Sequence, residues 1–144
     1  MIHSILVVCV GNICRSPTGE RLLKRALPGK QIASAGLSAL VGHAADGTAS
    51  DVAAQHGLSL EGHQAQQFTA ELAREFDLIL VMEKKHIDRI TLIDPAARGK
   101  TMLMGHWLNQ IEIADPYKRS REAFEAVYGL LENATQKWVN VLSR

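Results

Sequence analysis

The chain has 144 residues, of which 47% are hydrophobic, and this is enough for one domain that buries its own core. With 16 Lys and Arg against 15 Asp and Glu, the formal net charge of +1 shows neither the excess positive charge of a nucleic-acid-binding protein nor an acidic tail, and it leaves local basic patches open. Two cysteines with no signal peptide before them favour free thiols in the cytoplasm, and no apolar run approaches the roughly 20 residues of a membrane span.

The chain opens with a predicted strand, a short loop and a helix. Ser4 to Val8 is apolar, rich in β-branched residues and too short for a helix, so it predicts a buried strand. Ser16 supplies a helix N-cap, Pro17 suits the first helical position, and Pro28-Gly29 ends that helix. The loop between strand and helix holds both cysteines of the chain.

Strands and helices alternate along the rest of the sequence. Further strands are expected over Gln31 to Ala35, Asp77 to Met82 and Lys100 to Met104. Helices are expected over Asp46 to His56, Thr69 to Glu75, Lys84 to Ile93 and Ser120 to Leu142, with a loop over Ser38 to Gly47. This alternation predicts one doubly wound α/β domain over residues 1–144, a four-stranded parallel sheet with helices on both faces. Ligands of such sheets bind beyond the carboxyl ends of the strands, where the cysteine-bearing loop lies.

The composition of this loop favours an anion-binding site with a nucleophile. Backbone N–H groups at a helix N-terminus attract negative charge, and Gly11 allows close approach of the backbone to an anion. Arg15 offers a planar fork that matches two phosphoryl oxygens. Cys9, among these donors and beside a cation, is expected to be a thiolate near neutral pH and therefore a poised nucleophile.

Two simpler interpretations of the loop were weighed against this one. Cys9 could be a buried structural thiol and Arg15 a surface charge, but the strand, the glycine and the Ser-Pro pair argue together for a phosphate loop. A zinc site is not expected, because Cys-x4-Cys lacks a second ligand pair and the six histidines form no i, i+4 pair. No metal and no cofactor is therefore expected.

The segment from Cys9 to Pro17, CVGNICRSP, resembles the signature loop of the low-molecular-weight protein tyrosine phosphatases. The resemblance continues in family order with SAG at Ser34 to Gly36, EGH at Glu61 to His63 and ADPY at Ala114 to Tyr117. The stretches DLILVMEKKHI and DPYKRSREAFEAVYGLLE are similar to the Gram-negative members of the Wzb/Etp type, which are paired with tyrosine autokinases of exopolysaccharide export.

The resemblance implies a metal-independent protein-tyrosine-phosphatase and assigns three catalytic roles. Cys9 would attack phosphorus and form a phosphocysteine, while Arg15 would hold the phosphoryl oxygens. Asp115 would be the general acid and then the base for the attacking water, although Asp-Pro is also a common turn signal. The phosphate-binding loop would comprise Val10, Gly11, Asn12, Ile13, Cys14 and Ser16.

The resemblance also implies supporting contacts around the loop. Asn12 would fix the loop by contacting Ser34 and His63, but asparagine also tolerates left-handed backbone, so a purely conformational role stays open. Ser16 could donate a hydrogen bond to the Cys9 sulfur as well as cap the helix.

The resemblance also concerns the walls of the pocket and the second thiol of the loop. Tyr117 is expected to form one wall, and Leu40 lies near the position where related eukaryotic enzymes place an aromatic residue on the opposite wall. Cys14 is either a small buried hydrophobe or a backup thiol that captures oxidised Cys9 as a disulfide.

Three other functions share parts of this pattern. A thioredoxin-coupled arsenate reductase needs further cysteines, and none follows Cys14. A related arginine phosphatase places threonine where this chain has Ile13, and a phosphotyrosine-binding module without turnover would not require both Cys9 and Asp115. The resemblance implies as substrate the phosphorylated, tyrosine-rich C-terminal tail of a membrane tyrosine autokinase, dephosphorylated in the cytoplasm to permit capsule or exopolysaccharide assembly.

Overall fold

A four-stranded parallel sheet forms the centre of the computed structural model, which describes residues 1–143. The strands lie in the order β2-β1-β3-β4, and each neighbouring pair is parallel. They are β1 (Ser4–Cys9), β2 (Gln31–Gly36), β3 (Leu78–Val81) and β4 (Thr101–Leu103). The predicted α/β sheet is confirmed.

Helices cover both faces of this sheet. They are α1 (Arg15–Ala26), α2 (Gly47–Gln55), α3 (Ala70–Ala73), α4 (Lys84–Ile93) and α5 (Arg121–Leu142), with a 3-10 helix at Pro95–Lys100. Because side chains alternate along a strand, Ile5 and Val7 of β1 join a core with α1, α2 and α5. Leu6 and Val8 join a second core with α3, α4 and the 3-10 helix. The two cores are the physical reason for the doubly wound arrangement.

Local signals set the ends of most helices within a residue of the expected positions. The side chains of Asp46, Thr69 and Ser120 cap α2, α3 and α5 by accepting a hydrogen bond from a backbone N–H in the first turn. The 3-10 helix before β4 was not expected from the sequence. Its start is marked by Asp94, whose side chain accepts from the Ala96 N–H, and by Pro95.

The predicted start of α1 is wrong. The helix begins at Arg15 after an N-cap position occupied by Cys14, no side chain caps it, and Pro17 is its third residue rather than its first. Ser16 does not act as a cap because its hydroxyl is engaged by Asn12 and lies against the Cys9 sulfur. The contacts of Ser16 within the loop thus override a local helix signal.

None of the helices within residues 1–143 combines the length and the apolar composition that crossing a bilayer requires. Strand β1 lies between β2 and β3, and the chain runs from β1 to β2 on one side and then crosses to β3 on the other. The carboxyl end of β1 therefore lies at the topological switch point of the sheet. The loop from Val10 to Cys14 lies at this end.

Candidate active site

The loop of residues 10 to 14 turns its carbonyl groups toward the rest of the protein. The carbonyl oxygens of Val10, Gly11 and Ile13 accept hydrogen bonds from the backbone N–H groups of residues 38, 40 and 46, at 2.8 to 3.1 Å. The N–H groups of residues 10 to 14 donate to no other group within residues 1–143. A loop with anchored carbonyls and free amides is suited to hold an anion.

Gly36 allows this loop to pack directly against the end of β2. A Cβ atom at this position would lie 2.5 Å from the Val10 carbonyl oxygen and 3.1 Å from the Ala39 backbone. Real side chains do not tolerate such contacts with backbone, so only glycine fits here. The sequence showed Gly36 as part of a motif but gave no physical reason for it.

Asn12 anchors the loop and adopts a strained conformation. Its φ is +59°, in the left-handed region. Its Nδ2 donates to the hydroxyls of Ser16 (2.7 Å) and Ser34 (3.0 Å), and its Oδ1 accepts from the Gln66 N–H (2.9 Å). Its carbonyl oxygen lies 2.6 Å from Nε2 of His63, which therefore carries the proton. The contacts to Ser34 and His63 are present, and so is the left-handed backbone.

This network continues to a buried acidic residue that was not predicted. Ser34 donates its hydroxyl proton to Oε1 of Glu20 at 2.5 Å, and the other carboxylate oxygen of Glu20 lies 2.8 Å from Nζ of Lys24. Both Ser34 and Glu20 are buried. A chain of hydrogen bonds therefore runs from the surface of α1 to the loop.

Cys9 lies at the base of the loop beside Ser16. Its Sγ is 2.9 Å from the Ser16 hydroxyl, and the thiol is only 3% exposed. The Ser16 oxygen accepts a hydrogen bond from Asn12, and its own proton has two acceptors within reach, the Cys9 sulfur at 2.9 Å and the Ala35 carbonyl oxygen at 3.5 Å. Ser16 is therefore the side chain in direct contact with the candidate nucleophile.

Arg15 is buried, with 1% of its side chain exposed, and one nitrogen of its guanidinium group is firmly held. Nη1 donates to Oε2 of Glu83 at 2.7 Å and to the Ile113 carbonyl oxygen at 2.8 Å. Nε has no hydrogen-bond partner within residues 1–143, and Nη2 lies 3.7 Å from Oδ2 of Asp115. The guanidinium thus keeps Nε and Nη2 for a ligand while Nη1 fixes its plane.

Glu83 is the residue of the site that sequence reasoning missed most clearly. It follows β3 by two residues, at the same sheet edge as the loop, and this position is the signal that could have identified it. Burial alone would raise the pKa of Glu83, but the hydrogen bond and the charge of Arg15 outweigh burial and leave that pKa below its ordinary value. Glu83 is therefore an anion that balances the buried cation.

One pocket of about 200 Å³ brings together most of the predicted site residues. Leu40 and Tyr117, both partly exposed at 39% and 41%, lie at its mouth. Asp115 is more exposed, and its Oδ1 accepts the Tyr117 N–H at 3.0 Å. The lining residues are Cys9, Val10, Gly11, Ile13, Cys14, Arg15, Leu40, Asp115 and Tyr117. Asn12, Ser16, Ser34 and His63 lie behind the pocket rather than in its lining.

Cys14 also lines this pocket but differs from Cys9 in its surroundings. Burial raises its pKa well above the ordinary thiol value, and the negative charges of Asp46 and Asp115 act in the same direction. Cys14 is thus a neutral thiol at rest, and both cysteines are free. Within residues 1–143, no group of three or more potential ligand side chains is placed to hold a metal ion.

A parallel sheet whose first strand ends in a loop with a nucleophilic cysteine, free amides and a buried arginine is the architecture of a cysteine-based phosphatase. The model of the family described as low molecular weight phosphotyrosine protein phosphatase matches residues 4–144. The chain belongs to this family, whose members are cysteine-based hydrolases, and the resemblance seen in its motifs is confirmed.

Relatives with known sequences or structures agree with this assignment. The chain is 73% identical to a probable low molecular weight protein-tyrosine-phosphatase, AmsI, of Erwinia amylovora, over 100% of both chains. It is 58% identical to the tyrosine phosphatase Wzb of Escherichia coli K30, crystallised with sulphate, over 99% of both chains with a TM-score of 0.97. It is 31% identical to the YwlE arginine phosphatase of Geobacillus stearothermophilus, over 98% of this chain and 93% of that one, with a TM-score of 0.92.

Proposed function

We propose that this tyrosine phosphatase acts through a phosphocysteine formed on Cys9, with Arg15 and Asp115 as the other catalytic residues. The observation that carries the proposal is that the Cys9 sulfur, the Arg15 guanidinium and the Asp115 carboxylate line one pocket. The three groups come from the end of β1, the start of α1 and a loop a hundred residues later.

The first step transfers the phosphoryl group to sulfur. The Cys9 thiolate attacks phosphorus in line, an S–P bond forms, and the bond from phosphorus to the tyrosine oxygen breaks. Asp115, protonated at this stage, gives its proton to the leaving phenolate. Asp115 lines the same pocket as Cys9 and is 46% exposed, which suits an acid for a leaving group that departs toward solvent.

The second step returns the enzyme to its starting state. Asp115, now a carboxylate, takes a proton from a water molecule while the water oxygen attacks phosphorus. The S–P bond then breaks, which releases phosphate and restores the Cys9 thiolate. In both steps the free N–H groups of residues 10 to 14, together with Nε and Nη2 of Arg15, hold the equatorial oxygens, on which negative charge is spread. Sulphate, which is bound in the structure of the related Wzb, is a tetrahedral oxyanion like the phosphate released in this step.

The pocket walls favour an aromatic leaving group over a guanidinium. Ile13, Leu40 and Tyr117 give the pocket apolar surfaces on which a flat ring can pack. An arginine phosphatase has nearly the same fold, so the overall structure does not separate the two substrates. Competing hydrolysis of phosphotyrosine and phosphoarginine peptides tests the choice, and preference for phosphoarginine would overturn it.

The physiological substrate we propose is the phosphorylated, tyrosine-rich C-terminal tail of a membrane tyrosine autokinase that controls capsule or exopolysaccharide production. Support comes from the motifs shared with Gram-negative members and from the high identity to AmsI and Wzb. A reaction on the cytoplasmic tail of such a kinase places this phosphatase in the cytoplasm.

Two experiments test this function in sequence. Rapid mixing with p-nitrophenyl phosphate should release a burst of nitrophenolate equal to the enzyme concentration, as accumulation of a phosphocysteine requires. A binding module would release none. Incubation with phosphorylated candidate autokinases should then remove their phosphotyrosine, with Cys9→Ser as the control, and an unchanged phosphotyrosine signal would contradict the proposed substrate.

A further inference from the structure

A buried histidine lies beside the ion pair that holds Arg15. His86 is on the first turn of α4 and is only 1% exposed. Its Nδ1 accepts a hydrogen bond from the Glu83 backbone N–H at 3.2 Å. Since Nδ1 is an acceptor, the proton of the neutral imidazole is on Nε2.

The protonated nitrogen of His86 faces the Glu83 carboxylate. Nε2 lies 3.5 Å from Oε2, the same oxygen that accepts the hydrogen bond from Arg15 Nη1. Within residues 1–143 this buried Nε2 has no hydrogen-bond partner. Buried donors without partners are rare in folded proteins, and this one lies within the range of a charge interaction with the Glu83 carboxylate.

The charges around His86 keep the ring neutral. Burial and the neighbouring Arg15 cation lower the pKa of His86 to about 4, while Glu83 opposes this shift. The cations of Lys85 and Arg89 act in the same direction as Arg15. A neutral ring presents its Nε2–H to the Glu83 carboxylate and keeps the proton. It therefore adds no second cation that would compete with Arg15 for Glu83.

Lys85 is a weaker candidate for holding the Glu83 carboxylate. Its Nζ lies 3.7 Å from the other oxygen, Oε1, and its side chain is 73% exposed. An exposed lysine at this distance contributes little and leaves Glu83 free to turn. His86 is rigidly packed and is directed at the oxygen that Arg15 uses.

We propose that His86 is a positioning residue for Arg15. Its Nε2–H stabilises the Glu83 carboxylate in the orientation that holds Nη1, so that Nε and Nη2 stay directed at the bound phosphoryl group. This inference rests on the proposed function of Arg15 as the phosphate-binding cation. It predicts that His86 acts on phosphate affinity through Glu83, and not only on the stability of α4.

Two substitutions separate positioning from helix capping. His86→Asn keeps an acceptor, Oδ1, within reach of the Glu83 N–H but has no distal donor. His86→Gln extends an amide donor toward the position of Nε2. His3→Asn is the matched control, because His3 is exposed and directly precedes β1, at the end of that strand opposite to the loop.

Binding of inorganic phosphate should be measured by calorimetry and hydrolysis of p-nitrophenyl phosphate by steady-state kinetics. We expect His86→Asn to weaken phosphate binding and lower kcat/KM by about ten-fold, because the Glu83 carboxylate loses a polar N–H group beside the oxygen that holds Arg15. His86→Gln should recover part of this loss, and His3→Asn should equal the wild type. In a Glu83→Gln background, His86→Asn should have almost no further effect.

Other outcomes would overturn the inference. If His86→Asn binds phosphate as tightly as the wild type, His86 acts only as a helix cap. The same conclusion follows if His86→Asn weakens phosphate binding equally in the wild-type and Glu83→Gln backgrounds. If His86→Asn unfolds, as thermal melting would reveal, His86→Met, which fills a similar volume but carries no donor, completes the same cycle with Glu83→Gln. A wild-type enzyme that neither binds phosphate nor gives a burst would instead contradict the proposed function itself.

Discussion

The two halves of the pocket are built in opposite ways. The loop from Cys9 to Ser16 is almost completely buried, its carbonyls are anchored by three separate segments, and Asn12 alone takes part in four hydrogen bonds. The segment from Asp115 to Tyr117 is exposed apart from Pro116. The Asp115 carboxylate accepts one hydrogen bond, from the Tyr117 N–H, and lies 3.7 Å from Nη2 of Arg15. The phosphoryl group is the same in every substrate, whereas the group attached to it varies. The rigid half therefore recognises what is constant, and the loose half accommodates what changes.

Cys9→Ser should give the largest effect, because it removes the nucleophile from the rigid half. Turnover should fall by at least about 1000-fold on every substrate, as loss of a covalent nucleophile requires. Phosphate affinity should stay close to the wild-type value, since the amides and Arg15 are unchanged. Measurable hydrolysis by purified Cys9→Ser would contradict nucleophilic catalysis by this residue.

Asp115→Asn should have an effect that depends on the leaving group, because it changes the loose half. On alkyl or poorly activated aryl phosphates we expect about a 100-fold loss of kcat, the contribution of a general acid. On activated esters such as p-nitrophenyl phosphate the loss should be much smaller. Equal losses on both kinds of ester would exclude Asp115 as the acid and would remove the contrast between the two halves.

Gly36→Ala tests how tightly the rigid half is determined. The new Cβ would meet the Val10 carbonyl oxygen, so we expect a loss of about 1–3 kcal/mol in the free energy of unfolding and weaker phosphate binding. Gly29→Ala is the matched control, because a Cβ there has no heavy atom within 4 Å. Denaturant unfolding and phosphate titration of both variants give the answer, and similar behaviour of the two would mean that the loop is deformable.

Cys14 offers a test of chemistry inside the rigid half. Peroxide should inactivate the enzyme reversibly through a disulfide between Cys9 and Cys14, so that a dithiol restores activity. Cys14→Ala should be inactivated irreversibly under the same treatment. Mass spectrometry of the oxidised wild type should find the linked peptides. Absence of that link, or failure of a dithiol to restore activity, would leave Cys14 as a small buried hydrophobe.

The pH dependence of stability should come from the groups behind Arg15. The folded pKa of His86, about 4, is below its ordinary 6.5, so between these values the unfolded chain binds a proton that the folded chain excludes. The free energy of unfolding should therefore fall as pH drops from 6.5 to 4, by at most about 3 kcal/mol. The lowered pKa of Glu83 adds a loss in the same direction below its ordinary 4.5.

Denaturant unfolding of wild type and His86→Gln at several pH values checks this prediction. The variant should have a flatter profile between pH 6.5 and 4. A wild-type profile that is already flat over this range would mean that His86 titrates in the folded protein as it does in the unfolded chain.

Local features of the sequence were sufficient to predict the strand, loop and helix order and the loop residues of the pocket, whereas Leu40, Asp115 and Tyr117 were expected only from the family resemblance. A cysteine and an arginine in one short loop after a buried strand need no distant information to be recognised. The caps at Asp46, Thr69 and Ser120 are equally local, because a side chain bonds to its own helix.

What was missed depends on contacts between distant parts of the chain. The Ile113 carbonyl that holds Arg15 is a backbone atom, and no side chain marks it. Glu83 and Glu20 read as ordinary helix-end or surface carboxylates until the fold places them against Arg15 and Ser34. The Ser16 cap was predicted wrongly for a different reason, because the nearby Asn12 and Cys9 compete for its hydroxyl more effectively than its own helix.

The hydrogen bonds that link Glu20, Ser34, Asn12 and Ser16 to the Cys9 sulfur also have an evolutionary consequence. Each member satisfies the donor or acceptor left open by the next, so replacing one leaves a buried polar group unpaired on its neighbour. These positions are therefore expected to mutate together or not at all, and a homologue that has lost Ser34 should carry a compensating change at Glu20 or Asn12.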